Sequence, residues 1–423
     1  MPSEISGSIQ APSSKSSMQR ACAVALIAGG TTIIENAGTS NDENAALDIV
    51  KKLGASVDKV KKQIIITAPR TIFISPEKQK HLIVSCGESG LSLRMFVPIA
   101  ALYNHDITFT GEGSILTRPI NFFDEVLPKV NVSVSSNNGR LPITVSGPLK
   151  PRNITVDGSL SSQFLTGLLM AFARACITPV TVTVSNLTSK PYISLTLDIL
   201  KYFGFRIEND DFRKFTVFPR TGGSEFSTKY TVEGDWSNTA FLLVAAAIGG
   251  EAMVTGVDMN SSQGDKKIIN ALEDCGATVR VDRSTVFVKK NKMSAFRFDA
   301  TDCPDLFPPL VALAAYCSGT SEITGVERLK YKESNRGLTL KKEFAKMKVP
   351  LELDGNIMRI TGGKEVRGAS VSSHNDHRIA MACTVAGLNS KGNTQISQAE
   401  AVKKSYPGFY DDMKLMKANL TIS

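Results

Sequence analysis

Short apolar helices with a polar start recur along the chain. The repeating pattern, about 70 residues long, is a strand, a segment rich in Ser, Gly or Asp, an apolar helix, a β-branched strand, a second helix and a last strand. The six apolar helices begin in the segments SSKSSMQR, GESGLSLR, SLSSQFLTGLLM, EGDWSNTAFLL, PDLFPPLVAL and NDHRIAMACTV. Because one such unit cannot cover its own apolar helix, six copies predict two α/β domains of three repeats each.

The polar segment falls at the N-terminus of the apolar helix in every copy. Free backbone N–H groups and the helix dipole attract anions at that position. The same Ser, Asp and Gly residues are also good N-caps, and capping alone could explain most of them. If the helices of both halves point at one cleft, that cleft would attract phosphates and carboxylates.

Composition and charge narrow the class of protein without choosing a ligand. With 423 residues, 42% of them hydrophobic and 21% charged, the chain can bury a full core and is longer than one typical domain. Its net charge of +9 indicates a polyanionic partner. Nucleic acid, acidic lipid and phosphorylated metabolites all satisfy that requirement.

The cysteines and the N-terminal segment predict a cytoplasmic protein. The seven cysteines are scattered, lie mostly in apolar runs and never form a C-x-x-C pair, as is typical of reduced core residues. The N-terminus has no basic-then-apolar signal, and no apolar run approaches the roughly 20 residues that a membrane-spanning helix requires.

Lys15, Ser16 and Arg20 lie at the start of the first apolar helix. Basic side chains there oppose the helix dipole by a few tenths of a kcal/mol, so stability does not favour them. An anion bound between them would remove the conflict. A solvated basic turn is the alternative.

Four arginines occupy matching polar segments of different repeats: Arg94, Arg118, Arg336 and Arg378. Guanidinium groups bind carboxylate or phosphate in bidentate fashion, and several converging arginines need a polyanion between them. Each one alone could be a surface charge. Their recurrence in the same part of the repeat favours a shared anion site.

Further polar residues open two other apolar helices. Ser161, Ser162 and Gln163 precede an almost purely apolar run, where they could form an oxyanion cradle or a double N-cap. Asp305 follows Pro304 before another apolar helix. It is a good N-cap there, and it is also the kind of semi-buried carboxylate that serves as a general base.

Glu333 lies between Lys332 and Arg336, so it could exchange protons in a basic site or form a salt-bridged surface turn. His374 and His377 do not predict a zinc site, because no HExxH helix, cysteine ligand or third ligand accompanies them. The sequence also has no Walker loop, no GxGxxG after a strand and no GxSxG elbow. These absences disfavour nucleotide hydrolysis, hydride transfer and serine esterase chemistry.

The chain resembles the EPSP synthases, a family of enolpyruvyl transferases. The resemblance rests on eleven segments in the expected order: SSKSSMQR, GESGLSLR, TRPI, SSQFLTGLLM, SKPY, EGDWS, SQGD, PDLFP, YKESNR, NDHRIAM and KKSYPGF. They extend over essentially the whole sequence. Single segments are of modest specificity, but the ordered set is specific.

The resemblance implies a two-domain inside-out α/β barrel, with three βαβαββ-type repeats in each domain and pseudo-threefold symmetry. Residues 1–13 and 234–423 would form a discontinuous domain that carries repeats 4–6. Residues 14–233 would form an inserted domain with repeats 1–3, and the active site would lie in the cleft between the domains. Crossovers are expected near Pro12–Ser13 and Gly234–Asp235.

The resemblance also implies two substrates, phosphoenolpyruvate and shikimate 3-phosphate. The residues that would bind phosphoenolpyruvate are Lys15, Gly90, Arg94, Arg118, Gln163, Arg336, Arg378 and Lys404. Those that would bind shikimate 3-phosphate are Ser16, Arg20, Ser161, Ser162, Gln163, Ser189, Tyr192, Asp305 and Lys332.

The implied reaction transfers the enolpyruvyl group to the 5-hydroxyl of shikimate 3-phosphate through a tetrahedral intermediate and releases phosphate, in aromatic amino acid biosynthesis. Asp305 would take the proton of the hydroxyl, Glu333 would protonate the methylene carbon, and Lys15 would assist charge on the departing or attacking oxygen. No metal, cofactor, nucleic acid or membrane is implied as a partner, and the protein is expected to be a monomer.

The second repeat departs from the common family pattern. Glu88 stands where an asparagine is usual, and Leu91 stands where threonine is common. A carboxylate beside the phosphoenolpyruvate pocket would repel the substrate unless it is paired, so Glu88 is expected to face away or to bind a lysine. Gly90 keeps the position small, where bulk would crowd the substrate.

Two rival functions remain. The UDP-N-acetylglucosamine enolpyruvyl transferase shares the architecture, but it carries a loop cysteine in its second repeat, whereas Cys86 precedes the GESG turn here. A basic polynucleotide-binding protein would require interleaved aromatic side chains. Aromatic residues make up only 7% of this chain, and Trp236 is its one tryptophan.

Overall fold

The computed structural model describes residues 3–61, 63–70, 81–220 and 227–422. The chain divides into two compact units. Residues 13–232 form the inserted unit, and residues 1–12 together with 233–423 form the terminal unit. In this division the chain passes from one unit to the other at Pro12–Ser13 and at Val232–Glu233. Within the described ranges, the helices are too short or too polar to cross a membrane.

Helices and strands alternate through both units. The helices, in chain order, are α1 (Lys15–Ala28), α2 (Asn41–Lys52), α3 (Gly90–Ala100), α4 (Asn121–Val126), α5 (Ser162–Ala175), α6 (Lys190–Tyr202), α7 (Trp236–Gly249), α8 (Ile268–Asp274), α9 (Phe307–Ala314), α10 (Arg336–Lys346), α11 (His377–Gly387) and α12 (Phe409–Leu415). The strands are β1 (Ser8–Gln10), β2 (Gly30–Glu35), β3 (Ser56–Val60), β4 (Gln63–Ala68), β5 (Leu82–Ser85), β6 (Asp106–Thr110), β7 (Ser133–Ser136), β8 (Ile143–Ser146), β9 (Ile154–Asp157), β10 (Val180–Ser185), β11 (Ile207–Asp210), β12 (Lys214–Val217), β13 (Ser227–Thr231), β14 (Glu251–Thr255), β15 (Thr278–Asp282), β16 (Thr285–Lys289), β17 (Arg297–Asp299), β18 (Gly319–Thr324), β19 (Leu351–Asp354), β20 (Ile357–Gly362), β21 (Ser370–Ser372) and β22 (Gln395–Ser397).

Five of the sheets share one four-stranded plan. Their orders are β13-β2-β4-β3, β5-β6-β8-β7 and β9-β10-β12-β11 in the inserted unit, and β1-β14-β16-β15 and β17-β18-β20-β19 in the terminal unit. In each, the first two strands are parallel and the last two form an antiparallel hairpin on the second. A parallel pair requires a crossover, which the apolar helix of the repeat supplies in the β5-β6, β9-β10 and β17-β18 pairs. The predicted α/β class with βαβαββ-type repeats is confirmed.

The first strands of two repeats are exchanged between the units. β1 precedes the first repeat in sequence, yet Ser8 pairs with Met253 in the fourth repeat. Conversely, β13 precedes the fourth repeat but pairs with β2, with Ser227 opposite Thr31. Two of the six repeats are therefore discontinuous in sequence, and this exchange is why the chain crosses twice.

The sixth repeat is shorter than the others. Its sheet has two strands, β21 and β22, which pair in parallel with Ser370 opposite Gln395. After β22 the chain forms the 3-10 turn Ala399–Lys404 and α12 in place of the terminal hairpin. The sixth repeat therefore keeps the parallel strands and the apolar helix of the pattern and ends in α12 instead of a hairpin.

The apolar helices form the interior of each unit, and the sheets cover them. In the inserted unit α1, α3 and α5 pack against one another, and in the terminal unit α7, α9 and α11 do the same. All residues of α7 and all residues of α3 are buried. Burial on every side explains why these helices have no polar stripe. The arrangement is the inside-out one that the resemblance implied.

Side-chain caps fix the start of most of these central helices. Ser14, Ser89 and Ser161 cap the three helices of the inserted unit, and each accepts a hydrogen bond from a backbone N–H of the first turn. Asp235 and Asp376 do the same for α7 and α11. The capping interpretation of these polar segments is thus correct, and it places the neighbouring charged residues at helix N-termini.

Replacing Gly167 by Ala tests the packing of α3 against α5. A Cβ at Gly167 would overlap the carbonyl oxygen of Arg94 and lie 2.8 Å from that of Met95. We expect the free energy of unfolding to fall by about 1–3 kcal/mol in urea denaturation. Gly337 on α10 is the matched control, because the nearest atoms to its Cβ would be 3.7 Å away. Ala there should be neutral or stabilise by up to about 1 kcal/mol; equal losses at both sites would contradict this packing.

Candidate active site

Two guanidinium groups of the inserted unit meet at the N-terminus of α3. Arg94 donates from Nη1 to the Gly90 carbonyl oxygen at 3.3 Å and to Gln163 Oε1 at 3.0 Å. Arg118 follows the 3-10 turn Gly113–Thr117. A Cβ on Gly90 would lie 2.7 Å from Nη1 of both arginines. The missing side chain of Gly90 thus allows both cations to reach one helix end.

Lys15 opens α1 and forms an ion pair with Asp42 of α2, with 2.8 Å between Nζ and Oδ2. Both side chains are largely buried, with 13% and 12% of their surfaces exposed. Burial raises the pKa of the Cys86 thiol to about 12, and the charges of Asp42, Arg94 and Arg118 act on the same group. The Lys15–Asp42 pair therefore belongs to the same electrostatic neighbourhood as the two arginines.

Arg20 links α1 to α6 in the inserted unit. The residue is 1% exposed, and its guanidinium donates to Thr196 Oγ1 at 2.9 Å, to the Ser16 carbonyl at 2.9 Å and to the Tyr192 carbonyl at 3.3 Å. Ser189 immediately precedes α6 in a left-handed conformation. Four residues expected to bind shikimate 3-phosphate thus lie around the starts of α1 and α6.

The start of α5 lies beside this group. Ser161 accepts a hydrogen bond from the Gln163 N–H at 3.3 Å, and Ser162 is the first helical residue. The Thr166 and Thr196 hydroxyls are 3.0 Å apart, which connects α5 to the partner of Arg20. The inserted cluster comprises Lys15, Ser16, Arg20, Gly90, Arg94, Arg118, Ser161, Ser162, Gln163, Ser189 and Tyr192.

In the terminal unit, three cations surround one carboxylate. Asp305 lies in the 3-10 turn Pro304–Leu306 that leads into α9. Its Oδ1 is 2.7 Å from Arg336 Nη1 and 3.3 Å from Lys332 Nζ, and its Oδ2 is 3.1 Å from Arg378 Nη2. These groups come from three helix starts that the sequence separates by tens of residues.

Arg336 is the centre of this terminal cluster and is 1% exposed. Besides Asp305, it contacts Glu333 one turn earlier and binds both oxygens of Asp376, at 2.8 and 3.3 Å. Asp376 also caps α11 by accepting from the Arg378 N–H at 3.0 Å. The terminal cluster comprises Asp305, Lys332, Glu333, Arg336, Asp376, Arg378 and Lys404.

Lys404 joins the terminal cluster through the backbone. It lies at the end of the 3-10 turn Ala399–Lys404, is 6% exposed, and donates from Nζ to the Asn375 carbonyl at 2.6 Å. Asn375 directly precedes Asp376. Every residue predicted for the site therefore lies in one of two clusters, one in each unit, at or near the N-terminal end of a helix or at the end of a 3-10 turn.

Comparison with known proteins identifies the family. The sequence profile of EPSP synthase (3-phosphoshikimate 1-carboxyvinyltransferase) matches residues 1–413. A protein of Clostridium novyi (strain NT) named 3-phosphoshikimate 1-carboxyvinyltransferase is 35% identical over 421 residues, which cover 98% of this chain and 96% of that one. One of the same name from Pyrococcus abyssi (strain GE5 / Orsay) is 36% identical over 413 residues, covering 97% and 95%.

The chain belongs to the EPSP synthase family. The resemblance predicted from the ordered segments is thereby confirmed, as is the prediction that the chain is a transferase. An EPSP synthase structure from Acinetobacter baumannii has a TM-score of 0.82 at 24% identity and covers 100% of this chain and 98% of its own. At that identity, the likeness is evidence for the fold alone.

The cations of the terminal cluster determine the protonation of Asp305. Burial alone would raise the pKa of Asp305, but Arg378, Lys332 and Arg336 together hold it well below its usual range. Burial lowers the pKa of Lys332, against the effect of Asp305. A carboxylate held this way is ionised and a weak base. An anion that took over Arg336 and Arg378 would raise its basicity.

Glu88, which departs from the asparagine usual in the family, contacts the segment that leads into Arg118. Its Oε2 lies 3.5 Å from the Ser114 N–H and against Gly113, whose φ of +57° and lack of a side chain make room for it. Leu91 is buried, with 7% of its surface exposed. Glu88 therefore contacts the backbone of the 3-10 turn ahead of Arg118.

Sequence reasoning missed two acids that pair with cations of the clusters, Asp42 with Lys15 and Asp376 with Arg336. Asp42 was part of a helix start in the sequence NDENAALDIV, and Asp376 lies inside the NDHR segment. An acid ahead of an apolar helix was the available signal for Asp376. No local signal pairs Asp42 with Lys15, which lies 27 residues away.

Asp305→Asn tests the charge balance of the terminal cluster. At neutral pH we expect the free energy of unfolding to fall by about 1–3 kcal/mol, because three cations lose a shared counter-charge. The folded-state pKa of Asp305 lies below that of the unfolded chain, about 3.9. The wild-type advantage is therefore complete above that pH and is lost as the pH falls through the folded-state pKa.

Urea unfolding of the wild type and Asp305→Asn, from neutral pH to about pH 3, measures this difference. The gap between the two proteins should begin to shrink below about pH 4. A gap that stays constant or widens in acid would contradict the ion-pair account of Asp305.

Proposed function

We propose that this protein transfers the enolpyruvyl group of phosphoenolpyruvate to the 5-hydroxyl of shikimate 3-phosphate and releases phosphate. One observation carries the proposal: each unit gathers buried cations near the N-termini of its helices, and one of these clusters encloses an ionised aspartate. Two small polyanions with phosphate and carboxylate groups match such clusters. The family name of the relatives describes the same transfer.

We propose that residues of the inserted and terminal clusters bind the same two substrates. Phosphoenolpyruvate would contact both, with Lys15, Gly90, Arg94, Arg118 and Gln163 from the inserted cluster and Arg336, Arg378 and Lys404 from the terminal cluster. Shikimate 3-phosphate would bind Ser16, Arg20, Ser161, Ser162, Gln163, Ser189 and Tyr192 of the inserted cluster and Asp305 and Lys332 of the terminal cluster.

The proposed chemistry is addition followed by elimination. The hydroxyl oxygen bonds to the phosphate-bearing carbon of phosphoenolpyruvate and loses its proton to Asp305, while Glu333 protonates the methylene carbon. The tetrahedral adduct then loses phosphate, which leaves with the proton that Asp305 received, and a methyl proton returns to Glu333 to restore the double bond. Lys15 assists charge on the attacking or departing oxygen.

The ion pairs of Asp305 with Arg336 and Arg378 explain why phosphoenolpyruvate would bind before proton transfer. While Arg336 and Arg378 hold the carboxylate, it is a weak base. The carboxylate of phosphoenolpyruvate would compete for the same two guanidinium groups and weaken their hold on Asp305. Asp305 would therefore become a competent base only when phosphoenolpyruvate is bound. It would not remove the hydroxyl proton of shikimate 3-phosphate before that.

We further propose a monomer that acts in the cytoplasm without nucleic acid or membrane partners. The seven cysteines are all buried free thiols, as is usual in a reducing compartment. A sedimentation measurement in reducing buffer should give the mass of one chain, 45.6 kDa.

Phosphate release from phosphoenolpyruvate tests the function directly. We expect release with shikimate 3-phosphate as the acceptor and none with UDP-N-acetylglucosamine. Release with UDP-N-acetylglucosamine but not with shikimate 3-phosphate would favour the rival transferase. Strong, salt-dependent retention of single-stranded RNA on a filter, without phosphate release, would favour the polynucleotide-binding alternative.

Gly90→Ala tests the assignment of the two arginines to phosphoenolpyruvate. The added methyl would lie 2.7 Å from the mobile ends of Arg94 and Arg118, so the side chains can move and the fold should survive. Their displacement should raise the KM for phosphoenolpyruvate about tenfold and change the KM for shikimate 3-phosphate less than about threefold. Steady-state kinetics with each substrate varied measures the split, with Gly337→Ala as the control for a helical glycine. An unchanged KM for phosphoenolpyruvate would remove Gly90 from that subsite.

A further inference from the structure

Helix α10 carries two buried charged side chains on one face. Arg336 and Glu343 are seven residues apart, which is close to two helical turns, so both point the same way. Their surfaces are 1% and 0% exposed. Arg336 binds Asp376, and Glu343 binds Ser372, four residues before Asp376. One face of α10 therefore holds the segment Ser372–Arg378 at two points. We refer to this segment as the 372–378 loop.

Glu343 makes three charge-assisted or backbone contacts. Its Oε2 accepts from the Ser372 N–H at 2.9 Å and from Lys346 Nζ at 2.6 Å. Its Oε1 lies 2.8 Å from His374 Nε2. Burial alone would raise the pKa of Glu343, but the hydrogen bonds from His374, Lys346 and Ser372 lower it. Two of the three partners belong to the 372–378 loop.

The conformation of the 372–378 loop needs such support. His374 and Asn375 both have left-handed backbones, with φ of 52° and 56°. Such conformations are uncommon away from glycine and persist when surrounding contacts hold them. This double left-handed turn places the Asn375 carbonyl on Lys404 Nζ and is followed directly by Asp376, which holds Arg336.

We propose that Glu343 is a positioning residue for the phosphoenolpyruvate subsite. Its carboxylate holds the left-handed turn, and the turn in turn sets the positions of Lys404, Arg336 and Arg378. Glu343 itself contacts no substrate. The inference rests on the proposed function, because it assigns the affected subsite to phosphoenolpyruvate.

Three variants separate this role from simple stability. Glu343→Met roughly keeps the volume of the buried side chain and removes both carboxylate oxygens and the negative charge. His374→Asn removes the contact from the loop side, and Asn tolerates the left-handed backbone. Lys346→Met is the matched control, because it removes the partner on the same helix and leaves both loop contacts in place.

Kinetics with each substrate varied should show a selective effect. The KM for phosphoenolpyruvate should rise about tenfold or more in Glu343→Met and about threefold in His374→Asn, because charge-assisted hydrogen bonds are lost. The KM for shikimate 3-phosphate should change less than about twofold, and Lys346→Met should match the wild type. Glu343→Gln keeps an acceptor for the Ser372 N–H and should recover part of the loss.

Hydrogen exchange of the ligand-free protein gives a readout that does not depend on activity. The Ser372 amide should exchange about tenfold faster in Glu343→Met than in the wild type, and it should be unchanged in Lys346→Met. If the wild type releases no phosphate, the proposed function fails, and exchange still decides whether Glu343 holds the loop.

Two results would overturn the inference in a protein that is active. One is a wild-type KM for phosphoenolpyruvate in both Glu343→Met and His374→Asn. The other is an equal loss for both substrates together with unchanged exchange of the 372–378 loop. Should Glu343→Met not fold, His374→Asn decides, since its side chain is partly exposed.

Discussion

A buried cation needs an anion or hydrogen-bond acceptors beside it, and this requirement shapes the clusters of both units. Removing a charge from water costs several kcal/mol unless an opposite charge and hydrogen bonds replace the lost hydration. In the terminal unit Asp305, Glu333 and Asp376 meet this need around Arg336. In the inserted unit Asp42 does so for Lys15. Anionic substrates would compete with these acids for the same cations, which ties binding to proton transfer.

The fold explains why the cations collect where they do. Each unit is built from repeats whose apolar helices pack together inside the sheets, so their first turns lie close together. Side-chain caps fix where these helices begin, and the charged residues follow within one or two turns. A short repeated design thus yields a cluster of helix N-termini, the part of the backbone best suited to hold phosphate and carboxylate. The exchange of β1 and β13 gives the two units two covalent connections.

Much of the fold and of the two clusters was predictable from the sequence, because the same pattern occurs in each repeat. The period located the apolar helices, and the polar residues at their starts gave Arg94, Arg378 and Asp305. Partner choice was not predictable, because it depends on which distant segments meet. Arg336 and Asp376 are 40 residues apart, and Lys15 and Asp42 are 27 apart.

The proposed function requires that cations from both units hold the same small anion. The most direct measurement is a crystal structure of the protein with shikimate 3-phosphate and an unreactive phosphoenolpyruvate analogue. The account predicts that Arg118 of the inserted unit and Arg336 of the terminal unit both bind the analogue, with Asp305 beside the 5-hydroxyl. An analogue held by one unit alone, with the ion pairs of the other cluster intact, would contradict it.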